Sequence, residues 1–153
     1  MTEIINQQRK IKIEAETFQR FAETAIREIA DGKIAAIAFV SDRKMCQLNR
    51  EFRGKDRPTD VLSFETFEIR KGSNRSKNLG ELALCLPLVK AQAKEHKLSF
   101  NEELGYLILH GILHLLGFEH EKGGASARRM FRLQDDLFED LCRLESSVKG
   151  KKK

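Results

Sequence analysis

The stretch from Leu104 to His120 constrains this chain more than any other, because it places three of the chain's four histidines in an apolar setting. It reads L-G-Y-L-I-L-H-G-I-L-H-L-L-G-F-E-H. The apolar residues recur at helical spacing, and Ser99 followed by Glu102 is a capping-box pattern. We therefore expect a helix from about Phe100 to Leu116 that carries two of these histidines.

The spacing of the three histidines indicates a metal site. His110 and His114 are four residues apart, so a helix places their rings on one face, where both can ligate one ion at about 2.0–2.1 Å. Gly117 can adopt the left-handed conformation that ends a helix, and the chain can then fold back to bring His120 to the same point. Three imidazoles leave a fourth tetrahedral position open, as in catalytic zinc sites. Nickel or copper would also accept this ligand set.

Two other interpretations of this stretch have to be considered. A single histidine on an apolar face is more often a hydrogen-bonded core residue, but three with this spacing favour a metal. The spacing also matches the metzincin pattern His-Glu-x-x-His-x-x-Gly-x-x-His, in which the glutamate is the general base. Gly111 occupies that position here, which argues against a protease.

Length and composition indicate one globular domain. We expect residues 1–153 to form a single domain with one core, and the basic tail from about residue 146 to be disordered. The longest apolar run of the first half, Ile34 to Val40, is far shorter than the roughly 20 residues of a membrane span, and no secretion signal is seen near Met1. We therefore expect a cytoplasmic protein with no membrane partner.

The charged residues suggest a type of binding partner, and the cysteines argue against two kinds of structural site. The net charge is +5, and Lys and Arg concentrate between Arg50 and Lys77 and again at Lys149 to Lys153. Such stretches suit a phosphate-rich partner, although solubilising surface lysines are common. The three cysteines form no C-x-x-C pair, so neither a disulfide framework nor a thiolate zinc site is indicated.

Hydrophobic periodicity predicts an α+β fold with one four-stranded mixed sheet and about five helices. In chain order, the predicted elements are a strand at Arg9–Ile13, a helix from an N-cap at Thr17 to Asp31-Gly32, a strand at Ile34–Val40 buried on both faces, a helix capped by Ser41 or Asp42, a loop at Arg53–Asp60, a strand at Val61–Phe67, a loop at Glu68–Asn78, a strand at Leu79–Leu86, a helix from Pro87 to about Lys97, the histidine helix, and a helix at Ser126–Leu144.

Two segments of the chain resemble the YbeY family of single-strand-specific endoribonucleases, which are rRNA maturation factors with a zincin-like fold. The first is R-G-K-D-R-P-T-D-V-L-S-F, from Arg53 to Phe64. The second is L-G-E-L-A-L-C, from Leu79 to Cys85, which leads into H-G-I-L-H-L-L-G-F-E-H, from His110 to His120. The order and the intervals of these blocks fit the chain from about Ile11 to Leu144.

This resemblance implies roles for five residues. His110, His114 and His120 would bind one zinc ion per chain, while Arg53 and Lys55 would line the cleft and act on the phosphate. An ordinary solvated turn is the alternative for this basic loop. The resemblance further implies action on single-stranded rRNA, in maturation of the 16S rRNA 3′ end and in ribosome quality control. The ribosome or its small subunit and assembly factors would be partners, and DNA would not.

Glu81 is the most plausible carboxylate to assist proton transfer or to orient a ligand, and a surface carboxylate on an alternating strand is the equal alternative. The family usually has aspartate at this position and at Glu119, and commonly proline at Glu65. These departures leave the metal ligands intact. The longer carboxylates weaken the expectation that Glu81 or Glu119 accepts a hydrogen bond from a ligating histidine.

Three functions compete at this point. The first is a zinc-dependent endoribonuclease acting on rRNA, with either water or the 2′-hydroxyl of the substrate as nucleophile. The second is a non-catalytic ribosome-assembly factor that binds RNA and has a structural metal. The third, a metalloprotease, is the least favoured because of Gly111.

Overall fold

The computed structural model describes residues 2–66 and 77–117, together with residues 128, 129, 132, 134–136, 138 and 139. Two of the residues discussed above, His120 and Glu119, lie outside this part of the chain. So do most of the loop expected at Glu68–Asn78 and the whole tail from residue 146.

The chain alternates strands and helices before two helices follow in succession. The elements are β1 (Glu3–Asn6), α1 (Ala15–Ala30), β2 (Ile34–Val40), α2 (Asp42–Arg53), β3 (Val61–Glu65), β4 (Asn78–Cys85), α3 (Leu86–His96) and α4 (Phe100–Leu115). The described residues within 128–139 are also helical, and we call them the C-terminal helical segment.

The four strands form one mixed sheet in the order β1-β2-β4-β3. The pairs β1/β2 and β2/β4 are parallel, and β3/β4 is antiparallel. The α+β fold with a four-stranded mixed sheet is therefore confirmed. Strand β3 lies at the edge of the sheet, with Ser63 opposite Leu82 and Phe64 opposite Glu81. Since successive side chains of a strand point to opposite faces, these two pairs face opposite sides of the sheet.

Several boundaries were predicted well, and those of the helices are set by local hydrogen bonds. Strand β2 has the predicted bounds. The Ser41 side chain caps α2 by accepting from the Lys44 N–H at 3.2 Å. The capping box of α4 is present, with the Glu102 N–H donating to Ser99 Oγ at 3.1 Å and the Ser99 N–H donating to Glu102 Oε1 at 3.0 Å.

The predicted strand at Arg9–Ile13 is wrong, since the first strand is β1 and residues 9–13 belong to no strand. The backbone of Ile11 bonds to a side chain instead: its N–H donates to Gln8 Oε1 at 2.9 Å, and its carbonyl accepts from Gln8 Nε2 at 2.8 Å. Ile11 and Ile13 still pack against the core. The alternating apolar residues of this segment are therefore partly buried, but the segment does not pair with a strand.

The predicted cap of α1 is also wrong. The helix begins at Ala15 with Glu14 as its N-cap. The Thr17 N–H donates to the Glu14 carbonyl at 3.2 Å, so Thr17 already lies in the first turn. The predicted end is confirmed: the helix stops at Ala30, and Gly32 has a positive φ of 88°.

The main core lies between one face of the sheet and helices α1 and α4. Its largest buried side chains are Phe39, Ile26, Ile37, Leu79, Leu82, Leu84, Leu86, Leu104, Ile108, Leu109 and Ile112. A smaller cluster around Met45 of α2 lies on the other face. Strand β2 was predicted to be buried on both faces, but most of its residues alternate between buried and half-buried. The prediction is wrong for Ala36 and Ala38, which are half-buried and line an open groove.

Helix α4 packs against β3, β4, α1 and α3 and thus holds the histidines close to the edge strand. Among the described residues, no helix is both long and apolar enough to cross a lipid bilayer.

Candidate functional site

The two helical histidines lie together as the sequence predicted. His110 and His114 are half-buried on one face of α4. Their Nε2 atoms lie 3.0 Å apart, and their ring centroids are separated by 4.5 Å with the planes at 71°. Each ring therefore directs the same nitrogen toward one point.

This convergence fits two ligands of one metal ion. Two neutral imidazoles whose Nε2 lone pairs face each other repel, unless one nitrogen carries a proton or a cation lies between them. Nitrogens that each lie about 2.0–2.1 Å from a tetrahedral ion are themselves about 3.3–3.4 Å apart. The observed 3.0 Å is within a few tenths of an ångström of that value.

The third predicted ligand, His120, lies outside the described residues. The part of the chain that the structure describes holds no group of three His, Cys, Asp or Glu residues able to bind a metal. Two histidines of the predicted set are thus brought together, and the metal-binding role of all three stays a prediction.

One residue at this site was not predicted from the sequence. Gln134, in the C-terminal helical segment, is fully buried. Its Oε1 lies 3.3 Å from His110 Nδ1, and its Nε2 donates to the Tyr106 carbonyl at 3.2 Å. The single available signal was a polar residue beside the apolar stripe of the last helix, and such a signal does not identify a contact with a residue 24 positions earlier.

Arg53 is fixed to the edge strand. It is the last residue of α2, which Gly54 ends in a left-handed conformation with φ 71°. Its Nη2 donates to the Ser63 carbonyl at 3.0 Å and its Nη1 to the Phe52 carbonyl at 3.2 Å. The guanidinium carbon lies 5.5 Å from the centre of the Phe64 ring. An exposed cation is thereby held at the outer edge of β3, beside Phe64, whose side chain lies on the same face of the sheet as that of Glu81.

Lys55 is also exposed, and its backbone N–H donates to the Asn49 carbonyl at 3.2 Å. No acidic side chain of the described residues forms an ion pair with it. Its neighbour Arg50 differs, because Arg50 pairs with Asp56 at 3.2 Å. Lys55 therefore contributes to this loop a positive charge that no carboxylate of the described residues neutralises.

Three side chains shape the loop that carries these cations. Asn49 Nδ2 donates to the Arg57 carbonyl at 2.8 Å. Asp60 Oδ1 accepts from the Val61 N–H at 2.8 Å and from the Thr59 hydroxyl at 3.3 Å. The residues Thr59 and Asp60 thus stabilise the turn into β3.

Glu81 is not brought to the histidines. A Cβ at Gly111 would lie 2.7 Å from Leu82 Cδ2, so the Leu82 side chain faces α4. Glu81 precedes it in the strand and points to the other face, where it is exposed and lines the groove with Phe52 and Phe64. Its proposed part in proton transfer stays a prediction, and this placement does not favour it.

The same contact explains Gly111. A side chain at this position would be directed into the packed Leu82, which is 1% exposed. A glutamate there would be packed against the buried Leu82, which leaves its carboxylate no space. The metzincin mechanism therefore lacks both the general base and the space for it.

Comparison with known proteins identifies the family. The family model described as Endoribonuclease YbeY matches residues 3–142. A relative named Endoribonuclease YbeY from Bdellovibrio bacteriovorus is 44% identical over 126 residues, covering 82% of this chain and 75% of that protein. Another of that name, from Persephonella marina, is 40% identical over 128 residues and covers 80% and 83%.

A solved structure agrees with this result. The solution structure of a Thermotoga maritima protein is similar with a TM-score of 0.70 and 28% identity, covering 97% of this chain and 93% of the other. The expected fold and enzyme class are thus both confirmed. The chain belongs to the YbeY family of endoribonucleases, as the segments Arg53–Phe64 and Leu79–Cys85 with His110–His120 predicted.

Proposed function

We propose that the whole chain acts as one domain that cleaves single-stranded rRNA and depends on one zinc ion held by His110, His114 and His120. The convergence of two Nε2 atoms at 3.0 Å is the observation that carries the metal assignment. The proposal extends to the maturation of the 16S rRNA 3′ end and to ribosome quality control. It places the protein in the cytoplasm, with the ribosome or its small subunit and assembly factors as partners.

The histidines suit this task because neutral imidazole nitrogens are strong zinc ligands. When bound, a divalent ion would polarise a phosphoryl oxygen and lower the pKa of water in the site. His110 and His114 contribute their Nε2 atoms, and α4 keeps both rings on one face.

Arg53 supplies fixed positive charge for the phosphate. Two of its guanidinium nitrogens are bound to the carbonyls of Phe52 and Ser63, which limits its rotation. Each of these nitrogens has a second N–H, and Nε has one more, so donors remain for phosphate oxygens. Charge that builds on those oxygens in the transition state is stabilised by such a preorganised cation. Lys55 adds a second, less constrained charge.

The same contacts argue against peptide as the substrate. An extended peptide would pair with the outer side of the edge strand β3. The Ser63 carbonyl on that strand already accepts from Arg53. Together with Gly111 in place of the metzincin glutamate, this favours an anionic polymer over a polypeptide.

The test of this proposal measures metal content and RNA cleavage on the same preparation, with and without chelator. We expect one divalent ion per chain, with its identity given by elemental analysis. We also expect chelator to abolish cleavage and to lower the melting temperature, because a ligand bound only by the native state stabilises that state. The His114→Ala variant should lose most of its metal and its activity.

His96 provides a matched control, because it is the one histidine outside the proposed ligand set. Its Nδ1 lies 2.9 Å from Glu103 Oε2, and the His96→Ala variant should keep its metal. Stoichiometric metal in the His114→Ala variant would refute the assignment of His114 as a metal ligand. Cleavage that persists after complete metal removal would exclude metal-dependent catalysis, and a folded, RNA-binding but inactive parent protein would favour the assembly-factor alternative.

A further inference from the structure

Gln134 joins two parts of the molecule at the candidate metal site. It lies in the C-terminal helical segment, is 0% exposed and reaches across to α4. A buried carboxamide is costly unless its polar atoms are hydrogen-bonded. Both polar atoms of Gln134 are bonded here, and both partners belong to one turn of α4: the Tyr106 carbonyl and the His110 ring.

The Tyr106 contact decides which way the carboxamide points. A backbone carbonyl can accept but cannot donate, so the atom 3.2 Å from Tyr106 O must be the amide nitrogen. The amide oxygen then faces His110 Nδ1 at 3.3 Å. An amide oxygen can accept but cannot donate, and this bond therefore requires a proton on Nδ1.

A proton on Nδ1 leaves the lone pair on Nε2. This is the nitrogen that lies 3.0 Å from His114 Nε2 at the point where the metal would bind. Which nitrogen of a histidine ligates is set by the hydrogen bond that the other nitrogen makes. The orientation of one buried amide thus determines which His110 atom is available as a ligand.

We infer that Gln134 is a positioning residue that selects the Nδ1–H form of His110 and holds its ring so that Nε2 faces the metal. The inference rests on the metal site proposed above. Tyr106 is four residues before His110, so Gln134 ties the ring to the backbone turn on which that ring is mounted. Residues that hold a ligating histidine in this way typically contribute about 10–100-fold to metal affinity.

The first measurement needs no substitution. In the metal-free parent protein, ¹⁵N NMR of the imidazole nitrogens should show His110 protonated at Nδ1 when the ring is neutral. The other tautomer, with the proton on Nε2, would overturn the inference directly.

The second measurement is zinc affinity by competition with a chromophoric chelator. Gln134→Leu keeps a similar size but removes both hydrogen bonds, and we expect an affinity about 10–100-fold lower. Gln134→Glu keeps an acceptor for the Nδ1 proton and should bind zinc much closer to the parent than Gln134→Leu does. An affinity of Gln134→Glu as low as that of the leucine variant would count against the role.

Gln8 offers a matched control. It is a buried glutamine, 6% exposed, whose carboxamide bonds to Ile11 and Asn6 and not to the histidine helix. Gln8→Leu should lower the melting temperature and leave zinc affinity unchanged. Equal loss of affinity in Gln8→Leu and Gln134→Leu would reduce Gln134 to a general stabilising residue.

The outcomes separate this inference from the proposed function. A parent protein that binds no zinc defeats the metal site itself. A parent that binds zinc, with His114→Ala impaired and Gln134→Leu unimpaired, defeats only the role of Gln134. Should Gln134→Leu fail to fold, Gln134→Asn, whose side chain is one methylene too short to reach both partners, replaces it with the same expected loss.

Discussion

At the residue scale, Arg53 differs from the other cations of its loop by what holds it. Arg50 forms an ion pair with Asp56, in which the Arg50 side chain is 57% exposed and the Asp56 side chain 72% exposed. Ion pairs that are this exposed contribute little to stability. Arg53 instead bonds to backbone carbonyls on two elements and lies over an aromatic ring. A charge fixed in this way can act on a transition state without first losing rotational freedom.

We predict that Arg53→Ala lowers kcat/KM for a single-stranded RNA by on the order of 10²–10³, the typical loss of one electrostatic stabiliser. Metal content and melting temperature should stay close to those of the parent, because Arg53 is exposed and does not touch the histidines. Arg50→Ala is the control, since it removes a nearby charge from the same helix and should change cleavage much less. Equal cleavage by Arg53→Ala and the parent would make Arg53 an ordinary surface residue.

At the element scale, α4 depends on glycine for its close approach to the sheet. A Cβ at position 111 would meet three carbon atoms of Leu82 at 2.7–3.3 Å. Leu82 is 1% exposed and lies in the main core, so it has little room to move. The helix that carries both histidines can thus lie directly on β4 only because position 111 has no side chain.

We predict that Gly111→Ala destabilises the protein. Overpacking a core lowers the free energy of unfolding by about 1–3 kcal/mol. The higher helix propensity of alanine raises it by about 1 kcal/mol relative to glycine. The net loss of unfolding free energy should be at most about 2 kcal/mol, measured by denaturant titration. In Leu82→Val/Gly111→Ala, the shorter side chain makes space, so a double-mutant cycle should show favourable coupling. A higher denaturation midpoint for the single variant would refute this packing argument.

At the scale of the whole molecule, the net charge of +5 points to the phosphate backbone as the source of RNA affinity. Between Arg50 and Lys77 the chain has eight basic residues, namely Arg50, Arg53, Lys55, Arg57, Arg70, Lys71, Arg75 and Lys77. Five of them lie in the described residues, where all are exposed. Aromatic stacking should add less, since most described phenylalanines are at least half-buried and Phe52 is the exception at 56% exposure.

We predict that the logarithm of RNA affinity falls with the logarithm of salt concentration with a slope of about −3, because four phosphate contacts contribute roughly −0.7 each. Neutralising Arg70, Lys71, Arg75 and Lys77 together should flatten the slope and leave metal content unchanged. The measurement is a binding titration at several salt concentrations. Affinity that is indifferent to salt in either protein would mean that these loops are only solvated surface.

The features that the sequence determined by itself are those set within a few residues. The rings of His110 and His114 meet because four residues make one helical turn. The capping box at Ser99 and the stop at Gly32 depend on equally local geometry, and each was predicted correctly. Family membership was also predicted, since it depends on residue types at fixed intervals.

Tertiary structure alone decided the contacts between distant segments. The bond from His110 to Gln134 spans 24 positions, that from Arg53 to Ser63 spans 10, and the face of the sheet on which Glu81 lies depends on where α4 docks. The strand expected at Arg9–Ile13 failed for a local reason instead, because Gln8, only three residues before Ile11, takes the backbone bonds of Ile11 that a neighbouring strand would need. Hydrophobic periodicity indicates which side of a helix or strand is buried. The element against which that side packs is determined only when the whole chain folds.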